Sequence, residues 1–246
     1  MKYWDRAWNP ITGCTSCSDA CEHCYARALL EKRKIAEPHL TFDLRINKKQ
    51  LNKSFDRKSE TIMVCSQGDL FHENIPDKII DGILRKCFEA NNKKFLILTK
   101  RSARMFNYFN NEHLIDRIKG NHYRFNFDNM AFGVSVESGK YIDRIEHLKA
   151  CKHIKNRFIA FEPLLNNFGY IDYIDESINW VVVGCESGEN ARPCEPEWIE
   201  SIIIGTKEKG IPCFVNNVNI NGKITDYLAD LPEIFHQNDR IFDDKK

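Results

Sequence analysis

Four cysteines, Cys14, Cys17, Cys21 and Cys24, lie within eleven positions near the start of the sequence. Thiols spaced this closely are typical of a disulfide-rich knot, a zinc site or an iron–sulfur cluster. Only three residues separate the pair Cys14/Cys17 from the pair Cys21/Cys24, whereas about a dozen or more separate the two cysteine pairs of a zinc ribbon. The spacing therefore favours an iron–sulfur cluster, and a structural zinc site is the alternative.

The overall composition limits the classes of protein that the chain can represent. Of its 246 residues, 42% are hydrophobic and 29% are charged, which is typical of a folded protein. The sequence has no signal-peptide pattern and no run of eighteen apolar residues, so we expect a cytoplasmic protein with no membrane partner. Cysteines in a reducing compartment are more often metal ligands or buried thiols than disulfides. The net charge of +1 implies that any nucleic-acid binding would need a local basic patch.

Short apolar runs alternate with amphipathic helical segments, such as the helix predicted over 101–118. Buried strands joined by helices form parallel sheets through right-handed crossovers. We therefore predict an α/β fold, a single-domain partial (β/α) barrel of about six to seven parallel strands over residues 1–246. Residues 36–60 are predicted to be a lysine-rich surface excursion, and 217–246 a C-terminal extension. The predicted strands are 61–66, 94–99, 130–136, 157–163, 179–185 and 211–216, with a further one in "RAWNPI" before Cys14.

The spacing of Cys17, Cys21 and Cys24 resembles the CxxxCxxC signature of radical S-adenosylmethionine (radical SAM) enzymes. In that signature three thiolates hold a [4Fe–4S] cube and leave one iron without a protein ligand. The order of several longer segments resembles a radical SAM-like family that is common in phages and mobile elements and has no assigned reaction. These segments, between Trp8 and about Pro232, are "WNPITGCTSCSDACEHCYA", "VCSQGDLFHENIP", "LTKRSARM", "FGVSVES", "FEPLL" and "WVVVGCESGENARP".

The resemblance implies a radical SAM-like fold, a [4Fe–4S] cluster and S-adenosylmethionine, cleaved to a 5′-deoxyadenosyl radical. It also implies an external electron donor of the flavodoxin or ferredoxin type. The family often has a Gly-Cys pair, six residues and then CxxC, which match Cys14, Cys21 and Cys24 here. Cys14 and Cys17 therefore compete for the third ligand position, and a closed cluster with four cysteines would leave no iron open.

Polar residues follow most of the predicted strands, at the edge where (β/α) folds hold their ligands. By resemblance, these positions contact the methionyl, ribose and adenine parts of S-adenosylmethionine. The alternatives are an ordinary turn at Gly68 and Asp69, a strand-end glycine at Gly184 and a solvated helix start at Lys100 and Arg101. A carboxylate inside an apolar run needs a partner, so Glu162 is predicted to pair with Lys100 or Arg101 or to line the site. The predicted cofactor-binding residues are Ser66, Gly68, Asp69, Lys100, Ser135, Glu137, Glu162, Gly184 and Glu186.

Two functions remain open from the sequence. The first is a radical SAM enzyme with unassigned catalytic residues, acting on an unknown substrate such as a nucleotide or a base in nucleic acid. The alternative is a non-enzymatic, zinc- or iron–sulfur-stabilised nucleic-acid-binding module. Asn216 and Asn217 replace a Lys-Gln pair that is common in the family, which removes a cation from the last strand. A modest basic strip is predicted from Lys93, Lys94, Lys100, Arg101 and Arg104.

Overall fold

The computed structural model describes residues 2–35, 41–56, 58, 60–120, 124–188, 190–220, 222–227, 229 and 231–242. The strands are β1 (Arg6–Trp8), β2 (Ile11–Thr12), β3 (Arg45–Ile46), β4 (Glu60–Val64), β5 (Lys93–Thr99), β6 (Met130–Ser135), β7 (Asn156–Phe161), β8 (Trp180–Gly184), β9 (Cys213–Ile220) and β10 (Lys223–Thr225). The helices are α1 (Tyr25–Lys34), α2 (Lys48–Leu51), α3 (Asp77–Glu89), α4 (Ser102–Phe109), α5 (Leu114–Lys119), α6 (Asp143–Lys149) and α7 (Pro196–Glu208). Within these ranges, no helix is long and apolar enough to cross a membrane.

The main sheet is a curled half-barrel with the strand order β1-β4-β5-β6-β7-β8-β9-β10. Neighbouring strands from β1 to β9 are parallel, and β10 pairs with β9 in the antiparallel direction. The predicted α/β class with a largely parallel sheet is confirmed. The described sheet has eight strands and not the predicted six or seven, because the chain turns back after β9 and adds β10.

The two faces of the sheet bury two separate apolar cores. Alternate residues of a strand point to opposite faces, so Ile62 and Val64 lie in the core between sheet and helices while Met63 lies in the inner core. Tyr3 packs edge-on against Trp180 in that inner core, with ring centroids 5.5 Å apart. Apolar side chains on both faces explain why the strand sequences are nearly continuous hydrophobic runs.

The C-terminal residues are part of the barrel. The predicted boundary at 217 falls inside β9, which continues to Ile220. Further along, the indole of Trp180 donates a hydrogen bond to the Asp239 carbonyl (2.7 Å), and Phe242 packs against the inner core. Residues 221, 228, 230 and 243–246 of the predicted extension lie outside the described residues. The described part of this segment therefore packs on both cores, with Ile241 and Phe242 on the inner face and Ile234 and Phe235 on the outer one.

The predicted excursion over 36–60 is attached to the sheet where the structure describes it. The short strand β3 pairs with β2, and the indole of Trp8 donates a hydrogen bond to the Gln50 carbonyl in α2 (3.0 Å). Phe55 packs edge-on against Trp8, with ring centroids 5.2 Å apart. Residues 36–40, 57 and 59 lie outside the described residues. The described part of the segment therefore has a defined position beside β1.

Gly133 in β6 gives a direct test of the inner core. A Cβ at Gly133 would lie 2.5 Å from the ring of Phe158, which is fully buried. We expect Gly133→Ala to lower the free energy of unfolding by about 1–3 kcal/mol, because the core has to shift to admit a methyl group. Urea unfolding followed by circular dichroism measures this change.

The control is Gly82→Ala in α3, where a Cβ would have no heavy atom within 4 Å. Alanine in an exposed helix position should raise the free energy of unfolding by about 0.5–1 kcal/mol. A Gly133→Ala protein as stable as the wild type would contradict the close packing of Gly133 against the ring of Phe158.

Candidate functional site

A cavity of about 600 Å³ opens at the carboxyl ends of the strands, on the inner face of the sheet. Residues that follow β4, β5, β7 and β8 line it, together with Ser135 at the end of β6, Asn216 in β9 and residues 14–24, which we name the cysteine segment. Most of the residues predicted to contact a metal or cofactor meet there, although their spacing in the sequence is wide. The cavity-lining members of the predicted set are Cys14, Cys21, Cys24, Ser66, Gly68, Asp69, Lys100, Ser135, Glu162 and Glu186.

The four clustered cysteines do not have equivalent positions. Cys14, Cys21 and Cys24 are partly buried and line the cavity, whereas Cys17 is exposed and does not line it. A hydrogen bond with Cys17 lowers the pKa of the Cys21 thiol to about 4, although burial opposes this shift. In the part of the chain that the structure describes, no three His, Cys, Asp or Glu side chains converge closely enough to hold a single metal ion.

The first half of the cysteine segment is held by the buried side chain of Arg101. Its Nη1 lies 3.2 Å from the Cys14 sulfur, and its Nη2 donates to the Thr15 carbonyl at 2.9 Å. The same guanidinium pairs with Asp69 at 3.3 Å and Glu73 at 2.8 Å. Arg101 is therefore not a solvated residue at a helix start but a bridge between the cysteines and the loop after β4.

Asp69 is the buried anchor of that bridge. Its Oδ1 accepts hydrogen bonds from the backbone N–H of Phe71 (2.9 Å) and the hydroxyl of Thr99 (2.7 Å). Its Oδ2 accepts from the backbone N–H of Lys100 at 3.1 Å, besides the contact with Arg101. The carboxylate is only 5% exposed, so it is not the exposed turn residue of the alternative interpretation. These contacts join the loops after β4 and β5.

The second half of the cysteine segment is held from the end of β8. The Glu186 carboxylate lies 2.9 Å from Nδ1 of His23 and forms a salt bridge with Arg192. Arg192 also donates to the carbonyl of Asp19 at 3.1 Å. Burial alone would raise the pKa of Glu186, but the hydrogen bonds from Arg192 and His23 lower it below its ordinary value. Glu186 therefore positions the cysteine segment from the side opposite Arg101.

Glu162 lies at the cavity wall with uncharged partners. The Tyr3 hydroxyl donates to its Oε2 at 3.3 Å, and the amide of Asn216 donates to its Oε1. Neither Lys100 nor Arg101 forms an ion pair with it among the described residues, so the structure favours the cavity-lining interpretation over the paired one. Burial raises the pKa of Glu162, and the two hydrogen bonds only partly offset this effect.

Two predicted cofactor contacts, Glu137 and Gly184, do not line the cavity. β6 ends at Ser135, so Glu137 lies beyond the strand and does not share a strand face with Ser135. The carboxylate of Glu137 pairs with Arg144 at 2.8 Å, and Glu137 is fully buried. Gly184 leaves room for the side chain of Asn217, whose Oδ1 would lie 3.0 Å from a Cβ at this position. Neither residue therefore lines the cavity, and each instead contacts neighbouring protein side chains.

The cations predicted to form one basic strip are dispersed. Lys93 is fully buried at the start of β5 and pairs with Asp56 at 2.6 Å. Lys100 lies at the opposite end of that strand, in the cavity, and Arg104 pairs with Asp77. The prediction of a strip was wrong, because Lys93 and Lys100 lie at opposite ends of β5 and because carboxylates pair with Lys93, Arg101 and Arg104.

Tyr3 and Asn9 are among the cavity residues that sequence patterns missed. Tyr3 precedes the first strand and belongs to no motif, so nothing local indicates its contact with Glu162. Asn9 follows β1, and its side-chain oxygen accepts hydrogen bonds from Ser66 and from the backbone of Gln67, both at 3.2 Å. Asn9 directly follows a strand, as most of the predicted site residues do, and this position was the only indication of its role.

The environment of Glu162 predicts how stability depends on pH. Because folding raises the pKa of this carboxyl group, its contribution to stability is present at low pH and is lost as the pH rises through that pKa. The melting temperature of Glu162→Gln should therefore rise relative to that of the wild type between pH 5 and pH 8, with the larger advantage at pH 8. Melting curves across this range measure the difference.

The matched control is Glu146→Gln, an exposed position in a salt bridge with Lys149. Its melting temperature should differ from that of the wild type by the same small amount at both pH values. A Glu162→Gln protein that loses stability at the higher pH would show that the ionised carboxylate is favoured at this position.

The family model described as "Protein of unknown function (DUF5131)" matches residues 1–223. No curated protein and no solved structure has significant similarity to the chain. The matched region contains the cysteine segment, every strand from β1 to β9 and all the cavity-lining residues named above. The chain therefore belongs to DUF5131, a protein family of unknown function.

Proposed function

We propose that the protein is a radical SAM enzyme that holds a [4Fe–4S] cluster and S-adenosylmethionine in the cavity. The observation that carries the proposal is the orientation of Cys14, Cys21 and Cys24 toward one cavity at the carboxyl ends of the strands. Parallel α/β sheets commonly bind ligands at this edge. A barrel-like sheet, clustered thiols and polar strand ends together support this function better than a purely structural role for the cysteines.

The three cavity-lining cysteines suit an iron–sulfur cluster better than a single metal ion. Each thiolate ligand of a cube binds a different iron, so the sulfurs need not converge on one point. Cys14, Cys21 and Cys24 would be the ligands, because Cys17 is exposed and outside the cavity. Arg101 at the Cys14 sulfur supplies positive charge beside an anionic thiolate cluster. This assignment leaves one iron without a protein ligand.

The remaining cavity residues would bind and orient S-adenosylmethionine. The Lys100 side chain lines the cavity and forms no ion pair with a described residue, so it is available to a carboxylate. Glu162 and Ser135 offer oxygen atoms to hydroxyl or amino donors. Apolar residues such as Met63 and Leu98 exclude water from the same space. When bound, the cluster would supply the electron that cleaves the sulfonium.

Iron content separates the possible ligand sets. Anaerobically reconstituted wild-type protein should contain about four irons per chain, as a [4Fe–4S] cube requires. Cys14→Ser, Cys21→Ser and Cys24→Ser should each lose most of this iron, whereas Cys17→Ser should retain it. Iron and sulfide determination with electron paramagnetic resonance gives the measurement.

Cys17→Ser is the matched control, since it removes a thiol from the same segment. Loss of iron in Cys17→Ser but not in Cys14→Ser would assign the third ligand to Cys17. Stoichiometric zinc in place of iron would overturn the proposed cofactor.

Cleavage of S-adenosylmethionine tests the activity itself. The reduced, reconstituted protein should release 5′-deoxyadenosine, measured by liquid chromatography and mass spectrometry. Lys100→Met should weaken S-adenosylmethionine binding by about ten-fold or more, because it removes a charge-assisted hydrogen bond, and should leave the iron content unchanged. The exposed Lys152→Met is the control and should behave like the wild type. A cluster-loaded wild-type protein that releases no 5′-deoxyadenosine would refute the proposed activity.

A further inference from the structure

One side of the cavity mouth carries a local excess of positive charge. We name residues 25–35 and 41–56 the basic flank; it contains eight Lys or Arg residues and three Asp or Glu residues, a net charge of +5. Since the whole chain has a net charge of +1, the remaining residues sum to −4. Such asymmetry within one domain indicates a polyanionic partner at that surface. The cations are Arg27, Lys32, Arg33, Lys34, Arg45, Lys48, Lys49 and Lys53.

The cations of the basic flank point to solvent. All except Lys34 are exposed, and Lys34 pairs with Glu31. Lys32, Lys48, Lys49 and Lys53 pair with no carboxylate in the parts of the chain that the structure covers. Asp56, one of the three acidic residues, is occupied by Lys93. The charge of these four lysines is therefore not neutralised by a carboxylate among the described residues.

The basic flank is fixed beside the cavity. Its helix α1 begins directly after Cys24, and Tyr25, Leu29 and Phe42 line the cavity mouth. The backbone of Asn47 donates to the Pro10 carbonyl at 2.8 Å, which attaches the flank to the segment before the cysteines. A chain bound along these cations would therefore pass the opening of the cavity.

The cavity mouth also presents an aromatic surface. The Tyr25 side chain is 54% exposed, and Leu29 one turn along α1 is 42% exposed. Exposed aromatic rings beside basic residues are the usual platform for unpaired nucleic-acid bases. A base inside a duplex has to be unpaired and flipped out of the stack before it can enter a cavity, so an unpaired base enters at a lower free-energy cost.

We propose that the basic flank binds the phosphate backbone of single-stranded nucleic acid and presents one base to the cavity. This inference rests on the proposed function, for which it names the class of substrate. The phosphates contact the cations of α1 and of the β3–α2 segment, and a base stacks on Tyr25 at the mouth.

The test compares two triple charge reversals with the same net charge. Lys32→Glu/Lys48→Glu/Lys49→Glu changes the basic flank, and Lys78→Glu/Lys152→Glu/Lys207→Glu changes exposed lysines elsewhere. Binding of a fluorescent single-stranded oligonucleotide, as RNA and as DNA, is followed by anisotropy over a range of salt concentrations. The flank variant should bind at least about ten-fold more weakly, and its salt slope should fall by about 2. The control variant should bind like the wild type.

A second pair of variants tests the stacking surface. Tyr25→Ala should weaken binding by about five-fold or more, whereas Tyr170→Ala, also an exposed tyrosine, should not. Equal losses in the two triple variants, equal binding of duplex or of anionic lipid vesicles, or no binding by the wild type would overturn the inference. All measurements use full-length protein without iron or S-adenosylmethionine. If nucleic-acid binding is not observed, the results on iron content and 5′-deoxyadenosine release still stand. If those two results are negative, the binding measurements still stand.

Discussion

The buried contact between Asp69 and Arg101 determines where the cysteines lie. Asp69 accepts hydrogen bonds from residues after both β4 and β5, and Arg101 extends from this anchor to the sulfur of Cys14 and the backbone of Thr15. Removing one partner of a buried ion pair leaves an uncompensated charge, so each residue depends strongly on the other. The position of Cys14 is thereby coupled to two strand ends, although the three segments are far apart in sequence.

The cysteine segment is held at both of its ends by residues from opposite sides of the half-barrel. Arg101 contacts Thr15 from the β5 side, and Arg192 with Glu186 contacts Asp19 and His23 from the β8 side. A loop without regular strand or helix pairing needs such contacts to keep one conformation. These contacts restrict the conformations of the cysteine segment, which lowers the ordering cost of binding.

Local pattern in the sequence predicted the strands and the edge of the sheet at which the site lies. Each predicted strand overlaps an observed one, because a buried strand is a short apolar run whatever its neighbours are. The helix predicted over 101–118 is two helices in the structure, since the Asn111 side chain accepts from the His113 backbone and interrupts it. The partners of Asp69, Glu162 and Glu137 were not predictable, because each is distant in sequence and follows from the packing of the whole sheet.

The hydrogen-bond partners of Glu162 determine how charge is distributed along the cavity wall. A lysine in place of Asn216 would oppose the carboxylate of Glu162 with a full charge. Here the amide of Asn216 and the phenol of Tyr3 supply hydrogen bonds without charge, and burial then raises the pKa of Glu162. Lys100 is left as a cavity-lining cation that no described carboxylate pairs with. An anionic group of a ligand is therefore directed to the β5 side of the cavity, close to the cysteines, while the β7 side favours a hydrogen-bond donor.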